Sequence, residues 1–274
     1  MTLNDFKPKF KYLICIDSDG CAVDSMTIKH KDCFGKAFLE TFDLTNSNEA
    51  MDEWLRINLY SKTRGINRFL GLELALKYVD KNIKKIDDLS DLTNFINTSK
   101  TYSNKSLEEY IKNNDSAFLK KCLAWSNLTN TYINLLPKEN VRLFKYVKER
   151  IEEMYLKADI CVVSSANEEA VLNEWNRLGL SQYISVFCTQ NNGTKEKCLE
   201  ILSKHYYKEN VLMIGDGPGD LEAAKNNHIY FYPILANYEN KSWKDLNSYL
   251  DLFFTNEFKY CHYKLIDKFE ENLK

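Results

Sequence analysis

The sequence of 274 residues contains no Cys-x-x-Cys pair and no long apolar run. Its eight cysteines are scattered, which argues against a zinc site. Several of them, such as Cys15, Cys161 and Cys188, lie in or beside apolar segments, where a reduced cysteine packs as a small apolar side chain. No apolar stretch approaches the roughly 18 residues that a transmembrane helix needs, so we expect no membrane association.

An excess of charge of one sign is also lacking, since the formal net charge is −2. A protein that binds nucleic acid through bulk charge would be basic, so we expect no nucleic-acid partner. The lysines Lys7, Lys9 and Lys11 precede an apolar run that Asp17 cuts short, so no secretory signal is expected. With reduced cysteines, the protein is predicted to be cytoplasmic.

The stretch FKYLICIDSDGCAVDS, which begins at Phe10, joins an apolar run to two carboxylates. A short apolar run before a turn predicts a buried strand, so Asp17 and Asp19 should lie at its carboxyl edge. Ligands bind at that edge in open α/β sheets. Two carboxylates this close can hold a hard cation, or divide into a nucleophile and a proton carrier. An ordinary acidic turn is the simpler alternative.

A second stretch, VLMIGDGPGD, repeats this design from Val211 onward. An apolar strand is followed by Asp216 and Asp220, and then by a helix predicted to begin at Leu221. A dinucleotide-binding loop would need glycine at position 220. The two aspartates therefore indicate a cation site.

One long helical block interrupts an alternating α/β pattern. Apolar residues recur at helical spacing through residues 25–137, including one helix predicted to run from Leu107 through Cys122. From Val141 onward strands alternate with helices, which predicts a parallel sheet with right-handed crossovers. We therefore expect an α/β, Rossmann-like sheet flanked by helices, built from residues 1–24 and 138–274. The helical block is expected to form an inserted all-helical domain.

This insertion follows the first strand, so a lid over the carboxylate edge is its most economical explanation. The residues after Asn237 are predicted to form two further helices, which we expect to pack against the edge of the sheet.

Two further strand ends carry groups that suit a phosphate. Ser164 and Ser165 follow a predicted strand and offer a hydroxyl and backbone N–H groups at a helix start, although serine is also an ordinary helix cap. Lys195 opens the next helix, where a cation is unfavourable for the helix dipole and so suggests another purpose. Lys197 is the alternative to Lys195.

Together these motifs resemble the haloacid dehalogenase-like superfamily. Asp-x-Asp-Gly, Ser, Lys and Gly-Asp-x-x-x-Asp occur in that order, each after a strand, and the resemblance covers residues 10–24 and 140–235. The helical block resembles the superfamily's first type of cap domain. The resemblance implies Mg²⁺ as cofactor. It also implies phosphate-ester chemistry, since members that dehalogenate or cleave carbon–phosphorus bonds lack the second aspartate, here Asp19.

The resemblance also implies catalytic roles. Asp17 would be the nucleophile that forms an aspartyl-phosphate. Asp19 would be the general acid that protonates the leaving oxygen and then activates water. Ser164 would hydrogen-bond the transferring phosphoryl group, and Lys195 would neutralise the charge shared by that group and Asp17.

For the metal, the resemblance implies ligation of Mg²⁺ by Asp216, by Asp17 and by the carbonyl oxygen of Asp19. Asp220 would orient Lys195 or a water on the metal. The sequence departs from the usual superfamily pattern at Cys21, where threonine is commoner, and this bears on the geometry of the turn.

We expect the cap domain to select the substrate. The segment from Trp54 to Leu72 contains no acidic residue but several basic ones, and it resembles the cap loop of the sugar-phosphate mutases. We predict that Arg64, Asn67 and Arg68 contact substrate together with Ser165. A solvated helix start with exposed charges is the alternative.

The sequence thus predicts an Mg²⁺-dependent phosphatase of a small phosphorylated metabolite that acts through Asp17. A sugar phosphomutase of the same fold and a non-catalytic metal- or phosphate-binding module are the alternatives. The protein is expected to be a monomer or a homodimer.

Overall fold

The computed structural model describes residues 3–274 and divides into two compact units. The first unit runs to Ser25 and resumes over Val141–Lys274. The second unit is the intervening segment Met26–Asn140. Each unit has its own hydrophobic core.

The strands all belong to the first unit. They are β1 (Tyr12–Ile16), β2 (Val23–Asp24), β3 (Arg142–Leu143), β4 (Ala158–Val163), β5 (Val186–Cys188), β6 (Val211–Gly215) and β7 (Tyr230–Pro233). Five of them form a parallel sheet in the order β5-β4-β1-β6-β7, and β2 pairs with β3 in a small antiparallel sheet. The expected parallel, Rossmann-like sheet is therefore confirmed, whereas the β2–β3 ribbon was not predicted.

The helices flank this sheet and form the second unit. In the second unit they are α1 (Met26–Ile28), a π-helical segment (Lys29–Gly35), α2 (Lys36–Thr41), α3 (Asn48–Leu59), α4 (Arg68–Asn82), α5 (Leu89–Thr98), α6 (Asn104–Asn113) and α7 (Ala117–Leu135). In the first unit they are α8 (Val147–Tyr155), α9 (Glu168–Arg177), α10 (Lys195–Ser203), α11 (Pro218–Asn226), α12 (Glu239–Phe254) and α13 (His262–Asn272). No described helix combines the length and apolarity that crossing a bilayer requires.

Strand β1 is the central strand, and its sequence explains why. Ile14 pairs with Ile160 of β4 on one side and with Leu212 of β6 on the other, and all three side chains are buried. A strand covered on both faces is apolar throughout, as this one is. Because all five strands are parallel, the residues that follow β1, β4 and β6 come to the same edge of the sheet.

The two C-terminal helices pack on the first unit, as expected. Trp243 and Phe253 of α12 are buried in the same core as Ile14, and α13 lies against β7. The hydroxyl of Tyr12 in β1 also donates to the carbonyl of Phe254 at a distance of 2.8 Å. These helices are therefore part of the core that supports the sheet.

The second unit is a helical bundle around an aromatic core. Trp54, Phe69, Phe95 and Trp125 are fully buried there and meet in edge-to-face or tilted pairs. The single helix expected through Leu107 and Cys122 is in fact two helices, α6 and α7. The break has a local cause, since the hydroxyl of Ser116 accepts the backbone N–H of Leu119 and so caps a new helix.

Candidate active site

Three buried carboxylates meet at the carboxyl edge of the sheet. Asp17 follows β1, Asp216 follows β6, and Asp220 lies in the first turn of α11. One carboxylate oxygen of each lies within 4.8 Å of the others. The backbone N–H of Asp17 donates to the carbonyl of Ile214 at 3.0 Å, which extends the pairing of β1 and β6 beyond β1 and fixes the direction of the chain.

Helix α11 begins at Pro218, one turn earlier than the predicted start at Leu221. Proline suits the first helical position because its ring fixes φ and its missing N–H would have no partner there. The earlier start brings Asp220 into the first turn, where one of its oxygens accepts the backbone N–H of Gly217 at 3.0 Å. The helix start thus orients the Asp220 carboxylate.

Lys195 inserts its ammonium group between two of these carboxylates. Its Nζ lies 2.8 Å from Oδ1 of Asp17 and 2.6 Å from Oδ1 of Asp220. The alternative, Lys197, is exposed and instead pairs with Glu200 at 2.7 Å. The structure therefore brings Lys195, and not Lys197, to the acidic cluster.

The charges of the cluster are strongly coupled. Burial raises the pKa of Asp17 well above its usual value, Lys195 opposes this shift, and the charges of Asp220 and Asp216 reinforce it. Burial would lower the pKa of Lys195, but the adjacent Asp17 and Asp220 carboxylates outweigh it and raise that pKa. Lys195 therefore stays protonated, and the pair works as a carboxylate held by a fixed ammonium group.

The donor set fits a divalent metal ion. With all four groups ionised, the three carboxylates and one ammonium group carry a net charge of −2 in a buried site. Like charges held close together in a buried site are costly, and a dication would neutralise their net charge. Carboxylate oxygens are also the ligands that hard cations prefer. The structure thus supports a divalent metal at Asp17 and Asp216, beside an Asp220 that already holds Lys195.

Asp19 is not one of the three carboxylates that meet in this cluster. Its side chain is half-buried and accepts the hydroxyl of Ser25. The turn after it closes because Gly20 adopts a positive φ of 81° and donates its N–H to the carbonyl of Val23 at 2.9 Å. This turn and the Ser25 hydroxyl thus orient the Asp19 side chain.

The departure at Cys21 has a structural explanation. The side chain is fully buried, and its sulfur donates to the carbonyl of Ile214 at 3.5 Å. Burial and the nearby carboxylates raise the pKa of this thiol, so it keeps the proton that it donates. Cysteine thus supplies a side-chain donor in the turn.

Ser164 and Ser165 occupy the neighbouring strand end. Ser164 is buried, its N–H continues the β4–β5 pairing to Cys188 at 2.9 Å, and its hydroxyl accepts the N–H of Ala166. Ser165 is exposed. Asn167, which follows them, caps α9. Ser164 therefore lies at the same edge of the sheet as Asp17, with its hydroxyl at the start of a helix.

Sequence comparison now decides the family. The sequence model of haloacid dehalogenase-like hydrolases matches residues 72–234, which is more than half of the chain. The chain belongs to this family. The match includes Ser164 and Asp216, which follow strands, and Lys195, which begins α10. No curated protein sequence matches the chain significantly.

Solved structures of haloacid dehalogenase-like proteins share the fold. A haloacid dehalogenase-like hydrolase from Bacteroides fragilis aligns over 85% of this chain and 93% of its own, with a TM-score of 0.51 and 14% identity. A family member from Streptococcus pneumoniae covers 81% of this chain and 83% of its own at a TM-score of 0.50 and 14% identity. A structure assigned as a phosphoglycolate phosphatase from Lactobacillus delbrueckii subsp. bulgaricus covers 82% and 86% at a TM-score of 0.50 and 13% identity.

Three of the four predicted substrate contacts of this haloacid dehalogenase-like protein lie in the second unit, where groups of the same unit hold them. Arg64 is buried and donates to the carbonyl of Leu59 at 2.7 Å. Asn67 caps α4 through the N–H of Phe69 and donates to the carbonyl of Tyr102. Arg64 and Asn67 thus have structural partners within the helical unit.

Arg68 is a cation whose described partners are all neutral. Its guanidinium donates to the hydroxyl of Ser126 at 3.0 Å and to the amide of Asn130 at 2.8 Å, and it lies 5.0 Å from the centre of the Phe34 ring. Burial lowers its pKa, yet an arginine stays charged. Arg68 therefore presents a fixed cation whose charge no described carboxylate compensates.

Sequence reasoning missed three residues that hold the Asp17–Ser25 loop. Ser25 binds Asp19, while the indole N–H groups of Trp175 and Trp243 donate to the loop. A buried tryptophan usually needs a partner for its N–H. That rule could have marked both tryptophans as donors, but not which acceptor each one binds.

Proposed function

We propose that this hydrolase is an Mg²⁺-dependent phosphatase of a small phosphorylated metabolite, with Asp17 as its nucleophile. The observation that carries the proposal is the buried Asp17 carboxylate, held at 2.8 Å by Lys195 beside Asp216 and Asp220. Phosphoryl transfer requires fixed positive charge around the oxygens of the phosphoryl group, because the transition state spreads negative charge over them. Lys195 and a divalent ion held by the carboxylates would supply that charge.

In the proposed reaction, an oxygen of Asp17 attacks phosphorus and the ester bond to the leaving oxygen breaks. Asp19 gives its proton to that oxygen, so the product leaves as an alcohol and Asp17 carries an acyl phosphate. Asp19, now a carboxylate, takes a proton from water, whose oxygen attacks phosphorus. Inorganic phosphate leaves and both aspartates return to their starting states.

The surrounding residues orient these steps. Lys195 holds Asp17 in one rotamer, and Asp220 holds Lys195, so neither needs to reorganise during reaction. The hydroxyl of Ser164 would donate to a phosphoryl oxygen, with the exposed Ser165 beside it. Mg²⁺ bound by Asp17, Asp216 and the carbonyl of Asp19 would offset negative charge on the phosphoryl oxygens.

Substrate selection is assigned in this proposal to the helical unit as a cap domain. Arg68 supports this role because its cation is fixed by neutral partners and so remains available to an anionic group. Arg64 and Asn67 would shape the same region. A small metabolite with a second polar or anionic group is the substrate class that these residues suit.

The test is turnover by purified protein of a panel of small phosphate esters, with p-nitrophenyl phosphate as reference and Mg²⁺ present or chelated. We expect Mg²⁺-dependent phosphate release, and loss of at least about 10³-fold in Asp17→Asn, which removes the nucleophile. Asp159→Asn, which changes a buried carboxylate at the opposite end of β4, is a control for general damage.

Two outcomes would reject the phosphatase. Unchanged turnover in Asp17→Asn would indicate a contaminating activity or a non-catalytic binding module. Sugar phosphates that are isomerised without release of phosphate would indicate a phosphomutase instead.

A further inference from the structure

Two fully buried indoles bracket the loop that carries Asp19. The N–H of Trp175, in α9, donates to the hydroxyl of Ser18 at 2.9 Å. The N–H of Trp243, in α12, donates to the backbone carbonyl of Cys21 at 2.8 Å. Asp19 therefore lies between two fixed points, Ser18 and Cys21, that are three positions apart in the sequence.

The loop has little freedom between these points. The N–H groups of Ala22 and Val23 both donate to the carbonyl of Ser18, at 3.0 and 2.9 Å, which closes a compact turn. The Cys21 thiol ties the same turn to β6. A shift of the Cys21 peptide would therefore move the Asp19 backbone as well.

Trp243, whose indole N–H donates to the carbonyl of Cys21, lies outside the residues that the family model matches. That match ends at residue 234, whereas α12 begins at Glu239. The helix is anchored at its start, since the Ser242 hydroxyl accepts the N–H of Leu235 at 3.0 Å and the Tyr232 hydroxyl donates to the carbonyl of Ser242 at 2.7 Å. Trp243 follows directly and is therefore a fixed donor.

We infer that Trp243 is a positioning residue, and that the C-terminal helices hold the Asp19 loop in the geometry that protonation of the leaving oxygen requires. The inference rests on the proposed function. It assigns to α12 a task in the reaction beyond covering the sheet. Phenylalanine at this position would keep most of the ring volume but would leave the buried Cys21 carbonyl without its donor.

The test compares two substrates of nearly equal shape in Trp243→Phe. Phenyl phosphate has a more basic leaving oxygen than p-nitrophenyl phosphate and so depends more on general-acid catalysis. We expect kcat/KM, which reports the steps up to release of the leaving alcohol, to fall about 10-fold or more for phenyl phosphate and less than about threefold for p-nitrophenyl phosphate. Loss of packing alone would lower both rates equally.

Trp54→Phe is the matched control. Trp54 is also fully buried, but its indole N–H has no hydrogen-bond partner among the described residues. The two rates should keep their wild-type ratio in this variant. If Trp243→Phe proves too unstable to purify, Ser242→Ala weakens the anchor of α12 without changing the indole, and it should give a smaller loss with the same preference between substrates.

Hydrogen exchange separates failure of this inference from failure of the proposed function. Exchange at the amides of Ala22 and Val23 should accelerate in Trp243→Phe and stay unchanged in Trp54→Phe, whether or not the protein hydrolyses either ester. Unchanged exchange, or equal losses of kcat/KM on the two esters, overturns the positioning role. Faster exchange in a protein whose wild type hydrolyses neither ester supports the loop contact and rejects the phosphatase.

Discussion

Gly215, the last residue of β6, is required by the close approach of Asp220. A Cβ atom at this position would lie 2.4 Å from the Cβ of Asp220, which is shorter than real contacts allow. Gly215→Ala should therefore displace Asp220 and with it Lys195. We expect a loss of about 10²-fold in kcat, since a misplacement of about 1 Å can cost that much, and a destabilisation of about 1–3 kcal/mol from overpacking.

Gly219 is the matched control for this prediction, because it lies in the same segment and a Cβ there would meet nothing within 4 Å. Gly219→Ala should keep its activity and melt at or slightly above the wild-type temperature. Kinetics and thermal melting of the two variants check the prediction. Equal activity in both would show that the Asp220 position does not matter.

At this scale, the sequence showed which residues stand at strand ends but not how they are bonded. That Asp17 and Asp216 would meet follows from parallel strands that share an edge. The choice between Lys195 and Lys197 depends on which side of α10 faces the sheet, and that orientation is set by packing. Trp175 and Trp243 each lie more than 150 residues away in the sequence from the loop residue that they contact, so no local pattern could reveal these contacts.

Among the elements, helix α10 matters because it carries Lys195 at its first position. Thr194 caps it, and its hydroxyl accepts the N–H of Lys197 at 3.2 Å. Thr194→Ala should cost about 1 kcal/mol of stability, as caps generally do. Fraying of the first turn would also free Lys195, so we expect kcat to fall several-fold, as measured with p-nitrophenyl phosphate.

A cap in the second unit provides the comparison. Ser103 caps α6 in the same way, through the N–H of Ser106. Ser103→Ala should lose a similar free energy of unfolding but keep its kcat. If both variants lose activity in proportion to stability, α10 has no special role in holding Lys195.

Elements with a strong apolar period were predictable, and those decided by single contacts were not. The alternating pattern after Val141 specifies strands and helices by itself. The end of α6 and the start of α7 depend on the cap at Ser116, which interrupts an apolar pattern that looks continuous. The strand β3 has two residues and exists only because it pairs with β2, so no sequence period could mark it.

At the scale of the whole molecule, each unit has its own core, so we predict that metal binding stabilises only the first unit. The acidic cluster lies entirely in the first unit. A ligand that binds only the folded state adds about 2.7 kcal/mol when present at a hundred times its Kd. Hydrogen exchange should therefore slow on addition of Mg²⁺ in β1, β4 and β6, and not in α3, α4 or α7.

Asp216→Asn provides the control, since it removes one proposed metal ligand and should abolish the slowing in all three strands. Slowing that is equal in both units would show that the two cores unfold as one cooperative structure. Slowing that persists in Asp216→Asn would place the ion elsewhere.

The position of β1 in the sheet also affects how the chain folds while the ribosome synthesises it. This strand is translated first, yet its partners β4 and β6 are translated only after the whole helical unit. The core of the helical unit extends to Trp125, with Leu128 and Tyr132 packed against it, so it is complete while the nascent chain still lacks most of the sheet. A growing chain therefore contains Asp17 well before the strands that bring Asp216 and Lys195 to it.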